Sequence, residues 1–534
     1  MGSARRALLA IVLALGACDG APAEPPLPPA VEVAPPPAPP PPAPSSEPPP
    51  PPPPLPLPAL DPEAEARARA ERERAELEAA WPLYGLAYHY LVQVRARPDA
   101  ASRVVGYMRR GARFRTREPQ DGPGCARGWS EVPGQGWVCR GEGVLVGEAP
   151  PSFEPLPVSP ALEDALPYVY ARVGRAEAPQ YWRLPTPDEE RRAAEVLGEL
   201  RGRRERALAA LTSADAAGAD AGVPAGEATS GEPEVGLEAP PGSVAEGAVS
   251  LVPVEESGVV LPDFLRMRME SGFYVSVDGE EEHDGSRFFR TIRGGYVPAD
   301  AMVVAEPPAM RGVVLGGAWR LPIGFVWRHG ATALRRELDG TLRNDGELTY
   351  HDALVLEEER IERRGGAYRL SHSGVVARES ALRIARAITR PVGIAEDERW
   401  IHVDLSEQTL VAYEGDQPIF TTLVSSGREG FPSPTGTFRI ESKHVSTTMD
   451  DTESLTEAYS IEDVPWTMYF HGSFALHAAF WHDHFGRTRS HGCINLAPAD
   501  ARWLFGWTLP ELPPGWHGVI SSSRRAGTWV HVTE

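Results

Sequence analysis

Trp400 to Leu405 alternates apolar and polar residues, and Thr409 to Tyr413 does the same. A period of two predicts half-buried strands. Gly415-Asp416 reads as the turn into a third strand, Pro418 to Val424. Residues 84–147 are similarly strand-like, with glycine turns and with Trp129 and Trp137 each after a glycine. One kind of ending recurs: Gly136-Trp137-Val138 before Val144, Gly295-Tyr296-Val297 before Met302-Val303, and Gly374-Val375-Val376 before Leu382 and Ile384. Such self-similarity suggests repeated small β units. Thr186-Pro187-Asp188-Glu189 is a capping box with proline in the first turn, opening a helix expected to reach about Leu211. Ser213 to about Ser250 is rich in Ala, Gly, Glu, Pro and Ser, has no apolar period, and is expected to be disordered. Strand-like sequence lies on both sides, at Tyr168-Val169-Tyr170 and Phe273 to Val277, so residues 187–257 read as an insertion. The fold class expected is mainly β.

The N-terminal part breaks this pattern. Pro22 to Pro58 dominates a linker over 19–61 and should be extended polyproline II, reaching on the order of 100 Å. Asp61-Pro62 opens a short charged helix over 62–82, supported by Glu63/Arg67 and Glu65/Arg69 four apart. The expected units then follow as 83–148, 158–310 with its insertion, 311–395, and a last domain over 396–534.

A chain of 534 residues should hold several domains. Its net charge of -21 argues against nucleic acid as a partner and against general adhesion to anionic lipid. Arg5 and Arg6 precede the apolar run Ala7 to Ala17, which is too short to span a bilayer and reads as a signal-peptide core. It ends in Leu15-Gly16-Ala17-Cys18, which resembles a bacterial lipobox. That resemblance implies cleavage before Cys18, lipid on Cys18, and an exported lipoprotein anchored at the periplasmic face of a membrane. Asp19 leaves the choice of inner or outer membrane open. Cys125 and Cys139 lie close enough in sequence to form a disulfide, with two free thiols as the alternative. Cys493 is left unpaired.

Cys493 lies in the polar turn Ser490-His491-Gly492-Cys493-Ile494-Asn495, with His477 upstream. A cysteine in a glycine-containing polar turn, with a histidine in reach, suits nucleophilic catalysis. Ala475 to Trp481, Phe485-Gly486, this SHGC turn and Ser433-Pro434-Thr435-Gly436-Thr437-Phe438 together resemble the YkuD family of L,D-transpeptidases over residues 398–520. The last of these matches the family's TPxGxF signature with serine in first place. The resemblance implies a mostly β catalytic domain that uses no cofactor or metal and acts on peptidoglycan stem peptides through a cysteine acyl-enzyme. The acyl acceptor would be a diaminopimelate amine or a lysine of a wall-attached protein. Cys493 would be the nucleophile and His477 its base, oriented by the main-chain carbonyl of Ala478. Backbone N–H groups of Gly492 and Cys493 would hold the oxyanion, while Ser490 and Asn495 fix the turn and His491 hydrogen-bonds beside it. Lowering of the thiol's pKa would come from a neighbouring imidazolium and the helix starting at Pro498.

Rival readings stand beside this one. Twelve residues separate His477 from Ser490, a short spacing that makes His471-Gly472 an alternative base. His482-Asp483-His484 suggests metal, but no third ligand is evident. Met449 to Asp463 is acidic and reads as a solvated loop, or as a lid drawing in the acceptor amine. Trp466, Tyr469 and Phe470 are an apolar floor for it, or core. NlpC/P60-type peptidases are disfavoured because their cysteine precedes the histidine. Residues 92–95 and 136–138 resemble bacterial SH3-like barrels, whose ligand the sequence leaves open. A hydrolase on the same scaffold shares every catalytic motif, and a non-catalytic peptidoglycan-binding lipoprotein is the rival of a different class.

Overall fold

The alternating runs at the start of the last domain form an antiparallel meander, Arg399–Asp404, Thr409–Glu414 and Gln417–Leu423. Trp529–Thr533 adds in parallel to the first of these, and Gly436–Arg439 pairs beyond it. The computed structural model describes residues 71, 72, 75, 76, 78–175, 177–218, 260–451 and 459–534. Cys18 with its lipobox, the linker over 19–61, the start of the charged helix and most of the disordered segment expected after Ser213 lie outside the described residues.

The meander is buried on both faces, not on one. Ile401, Val403, Leu410 and Ala412 point into a core with Val445, Met468, Leu476 and Leu504. Trp400, Val411, Tyr413 and Leu423 point into a second core shared with Ile323, Phe325 and Ala385 of the preceding β unit. That unit is a seven-stranded assembly whose strands Ile323–Val326 and Leu382–Ala385 pair with each other. Burial of the meander's outer face is what attaches it, since apolar area removed from water stabilises by roughly 25 cal/mol per Å².

The rest of the last domain is a long hairpin, Ser442–Asp451 with Tyr459–His471, followed by Phe474–Ala478 and, in parallel to that strand, Ile494–Leu496. Helix Pro498–Trp507 packs Ala501, Leu504 and Phe505 into the same core. Lys443 is fully buried and donates from Nζ to the carbonyls of Phe505 and Thr508, at 2.6 Å each. A cation suits these carbonyls at a helix C-terminus.

One sheet continues from the hairpin into two earlier units. Gly518–Ile520 pairs with Ser442 to His444 on one side and with Val104–Arg109 of the first unit on the other. Phe273–His283 of the second unit pairs in parallel with the start of Tyr459–His471. The first unit's core is completed by Trp516 and Val519 from the far end of the chain. Gly106 is needed there, because a Cβ would stand 2.5 Å from the Trp516 ring. Cys125 and Cys139 are disulfide-bonded in this unit, with Cα atoms 5.7 Å apart.

Two expectations change. The helix after Thr186 runs Pro187–Gly218, past Leu211 and into the segment read as disordered. Its capping box is formed, with Glu189 N–H on Thr186 Oγ1 and Thr186 N–H on Glu189 Oε2. Ala214, Ala216 and Ala217 have high helix propensity and carry it on to Gly218. Glu462 and Asp463 are not part of a solvated loop but are buried in the hairpin strand. Asp463 is ion-paired with Arg109, accepts from Ser276 Oγ (2.5 Å) and Ser446 Oγ (3.1 Å), and through its backbone carbonyl accepts from Tyr170 (2.6 Å).

Candidate active site

The parallel pairing of Phe474–Ala478 with Ile494–Leu496 sets His477 opposite Asn495 and Leu476 opposite Ile494. Cys493 immediately precedes the second strand, so the turn carrying it meets the strand carrying His477. His477 and Asn495, directly opposite each other, share a face of the sheet, two residues along from Cys493.

His477 is 2 % exposed. Its Nδ1 lies 3.0 Å from the Ala478 carbonyl oxygen. A carbonyl only accepts, so Nδ1 holds the proton and Nε2 keeps its lone pair. The ring packs on Trp481, centroids 5.8 Å apart. Burial pushes its pKa down to about 4, with the Ala478 carbonyl opposing. The imidazole is therefore neutral at rest, a base rather than the expected imidazolium.

Cys493 is half-buried and is a free thiol. Its Sγ sits 3.7 Å from the Ser473 carbonyl oxygen. Burial pushes the thiol up, and the Ala475 N–H directed at it pulls the other way. The resting pair is thus thiol and neutral imidazole.

The turn is built by two serines. Ser490 Oγ accepts from the Gly492 N–H (3.1 Å) and donates to the Cys493 carbonyl (2.5 Å). Ser433, first residue of the SPTGTF motif, accepts from the Gly427 N–H (2.9 Å) and donates to the Gly492 carbonyl (2.7 Å). Gly492 has φ +112°, and a Cβ there would lie 2.5 Å from the Phe474 ring. Glycine is needed on both counts.

Several assigned roles shift. The Gly492 N–H is committed to Ser490, so it is not a free oxyanion donor; the Cys493 N–H meets no acceptor among the described residues. Asn495 does not brace the turn with its side chain. Its backbone N–H and carbonyl pair with Ser425, and its amide lies 3.0 Å from His482 Nε2. His482 Nδ1 accepts from the His484 N–H (3.2 Å), and its Nε2 faces the Asn495 amide nitrogen. His482 is thereby turned inward while Asp483 faces His351 at 3.4 Å, so the His-Asp-His run does not converge on a common point. His491 is exposed, contacts Arg428 at 3.0 Å and stacks on Tyr459. His471 is exposed between Phe438 and Phe474, and its side chain makes no hydrogen bond among the described residues. Trp466 and Phe470 are core, each 1 % exposed. Ser433 and Trp481 were legible only as motif members, and the Asn495–His482 contact had no local signal.

Residues 398–532 match the family model for the YkuD L,D-transpeptidase catalytic domain. The chain is 28 % identical over 142 residues to the putative L,D-transpeptidase YciB of Bacillus subtilis, covering 23 % of this chain and 70 % of that protein. Among solved structures, an L,D-transpeptidase from Stackebrandtia nassauensis shares 25 % identity (TM-score 0.20), over 26 % of this chain and 57 % of that one. The catalytic domain of the E. faecium L,D-transpeptidase shares 26 % identity (TM-score 0.21), over 26 % of this chain and all of that one (100 %).

Proposed function

We propose that this chain, whose C-terminal part is a YkuD L,D-transpeptidase domain, is an exported enzyme that transfers peptidoglycan stem acyl groups through Cys493. His477 Nε2 takes the Sγ proton as sulfur attacks the carbonyl that precedes the terminal D-alanine. The tetrahedral oxyanion is held by the Cys493 N–H. Collapse breaks the C–N bond, His477 returns its proton to the leaving amine, and D-alanine departs from the thioester. An amine then attacks the thioester with His477 again as base, and Cys493 recovers its proton. The acceptor amine belongs to a second diaminopimelate or to a protein lysine; water in its place would make the enzyme a hydrolase.

The observation carrying this reading is the His477 strand paired against the Cys493 turn, with Nδ1 anchored so that Nε2 is the free base. Incubation with stem tetrapeptide, with and without an added amine, followed by mass analysis tests it. Release of D-alanine and a single carbapenem adduct, both absent in Cys493→Ala, are expected. Neither appearing in the parent protein would leave the non-catalytic reading in its place.

The lipobox supports lipid at Cys18 and a membrane-anchored, periplasmic location, with the proline tract as spacer and the small β units as SH3-like wall-contact modules. Cys18→Ser should move the protein from the detergent phase to the aqueous phase. Equal partition of variant and parent would remove the anchor.

A further inference from the structure

A cleft of about 480 Å³ lies on the seven-stranded unit, with Trp327, Arg328, Arg378, Arg383 and Glu379 in its wall and Glu407 of the catalytic domain at its side. Three guanidiniums gather on one indole: Arg383 at 4.2 Å, Arg328 at 4.6 Å and Arg487 at 5.2 Å from the Trp327 ring. Arg487 is outside the cleft wall but belongs to the segment between Phe485 and the Cys493 turn, so that segment reaches the same indole. Both carboxylates in the wall are already engaged. Glu379 accepts from Arg360 (2.8 Å), and Glu407 accepts from Arg386 (2.7 Å) and the Ile384 N–H (3.0 Å). Arg383 donates to the carbonyls of Gly486 and Ser406, which fixes its plane. Arg328 is exposed and, among the described residues, meets the indole and no acceptor. Cations held together repel unless an anion joins them. In a chain of net charge -21, such a gathering is not a by-product of composition.

We propose that this cleft binds a carboxylate of a peptidoglycan stem peptide while the scissile bond lies at Cys493. The proposal rests on the transpeptidase reading for the identity of the ligand. Arg328, over the indole and with no acceptor among the described residues, is the guanidinium left to receive a carboxylate in two hydrogen bonds. A phosphate-bearing ligand shares that chemistry.

Full-length Cys493→Ala protein, with and without Arg328→Glu, is titrated calorimetrically with three probes. These are a disaccharide-tetrapeptide with free carboxylates, its fully amidated form, and inorganic phosphate. Arg328→Glu should weaken the free-carboxylate probe about tenfold, the scale of losing one charge-assisted contact, and leave the amidated form unchanged. Equal affinities with and without the substitution overturn the proposal. So does phosphate binding that Arg328→Glu abolishes while the tetrapeptide is unaffected, which would reassign the cleft to phosphate. Absence of carbapenem acylation in the parent protein with Cys493 intact counts against the transpeptidase reading, whereas the titration alone decides the cleft.

Discussion

His477 is held by one hydrogen bond that decides its chemistry. The Ala478 carbonyl takes the Nδ1 proton, so the lone pair is on Nε2. Burial lowers the folded pKa to about 4. The imidazole then stays unprotonated well below the usual value of about 6.5. The acid limb of kcat/KM for D-alanine release should fall near that lower value, leaving the rate level from pH 8 to 5.5. A limb near 6.5 would point to an exposed imidazole such as His471. His477→Ala should cost about 10²–10⁴ in kcat/KM, because base and leaving-group acid are lost together. His471→Ala should stay within about tenfold of the parent. The reverse ranking in the same assay would move the base to His471.

The Cys493 turn depends on an element far away in sequence. Ser433 ties Gly427 to Gly492 with its one hydroxyl, and Ser490 closes the turn from within. Ser433 is buried, so Ser433→Ala leaves a donor and an acceptor without partners. That should cost about 1–3 kcal/mol of stability. The acylation rate of Cys493 should fall further than stability alone explains, because the Gly492 carbonyl is released and the Cys493 N–H loses its direction. Ser433→Thr retains the hydroxyl and should restore both readouts. Stopped-flow carbapenem acylation and calorimetric unfolding check the pair. An alanine variant with parental acylation would show that the turn holds itself.

At the scale of the whole molecule, the hairpin Ser442–Asp451/Tyr459–His471 is where three units meet. Asp463 joins Arg109 of the first unit to Ser276 and Tyr170 of the second. Arg109 holds the Asp463 carboxyl well below its usual range, against the effect of burial. Asp463→Asn leaves Arg109 buried without a counter-charge and should destabilise by about 3–5 kcal/mol. A double replacement by apolar residues should cost less, and denaturant unfolding of the set tests the cycle. Near-identical losses for both variants would mean that packing, not charge, is responsible.

Buried histidines set the pH response of the same body. His402 and His477 are pushed to about 4, His444 and His482 to about 3, and His517 well below 6.5, each by burial. Their folded pKa values are lowered, so on acidification the unfolded chain takes up protons first. Stability is present above about 6.5 and falls as pH drops towards about 4, by up to about 1.4 kcal/mol per pH unit for each histidine. Asp500, pushed up to about 6 by burial, works in the opposite direction with the raised carboxyls of Glu462 and Asp483, while His351, lowered to about 4, adds to the histidines. Urea midpoints should therefore be lower at pH 5.5 than at 7.5. A midpoint that holds or rises would mean that these rings are protonated in the native state.

The sequence by itself determined what is local. Alternation placed the strands at 399–423, and Thr186 with Glu189 marked a helix start. The order of SPTGTF, His477 and SHGC identified the catalytic family, because strand period, capping and motif chemistry are each written within a few residues. Tertiary structure decided what depends on partners hundreds of positions apart. It buried both faces of the meander, put Trp516 in the first unit's core, and gave Asp463 a cation from residue 109. It also committed the Gly492 N–H to Ser490 and turned Asn495 to His482. Desolvation is the property of a place rather than of a residue type. Whether His477 rests charged or neutral was therefore fixed only when the strands had closed over it.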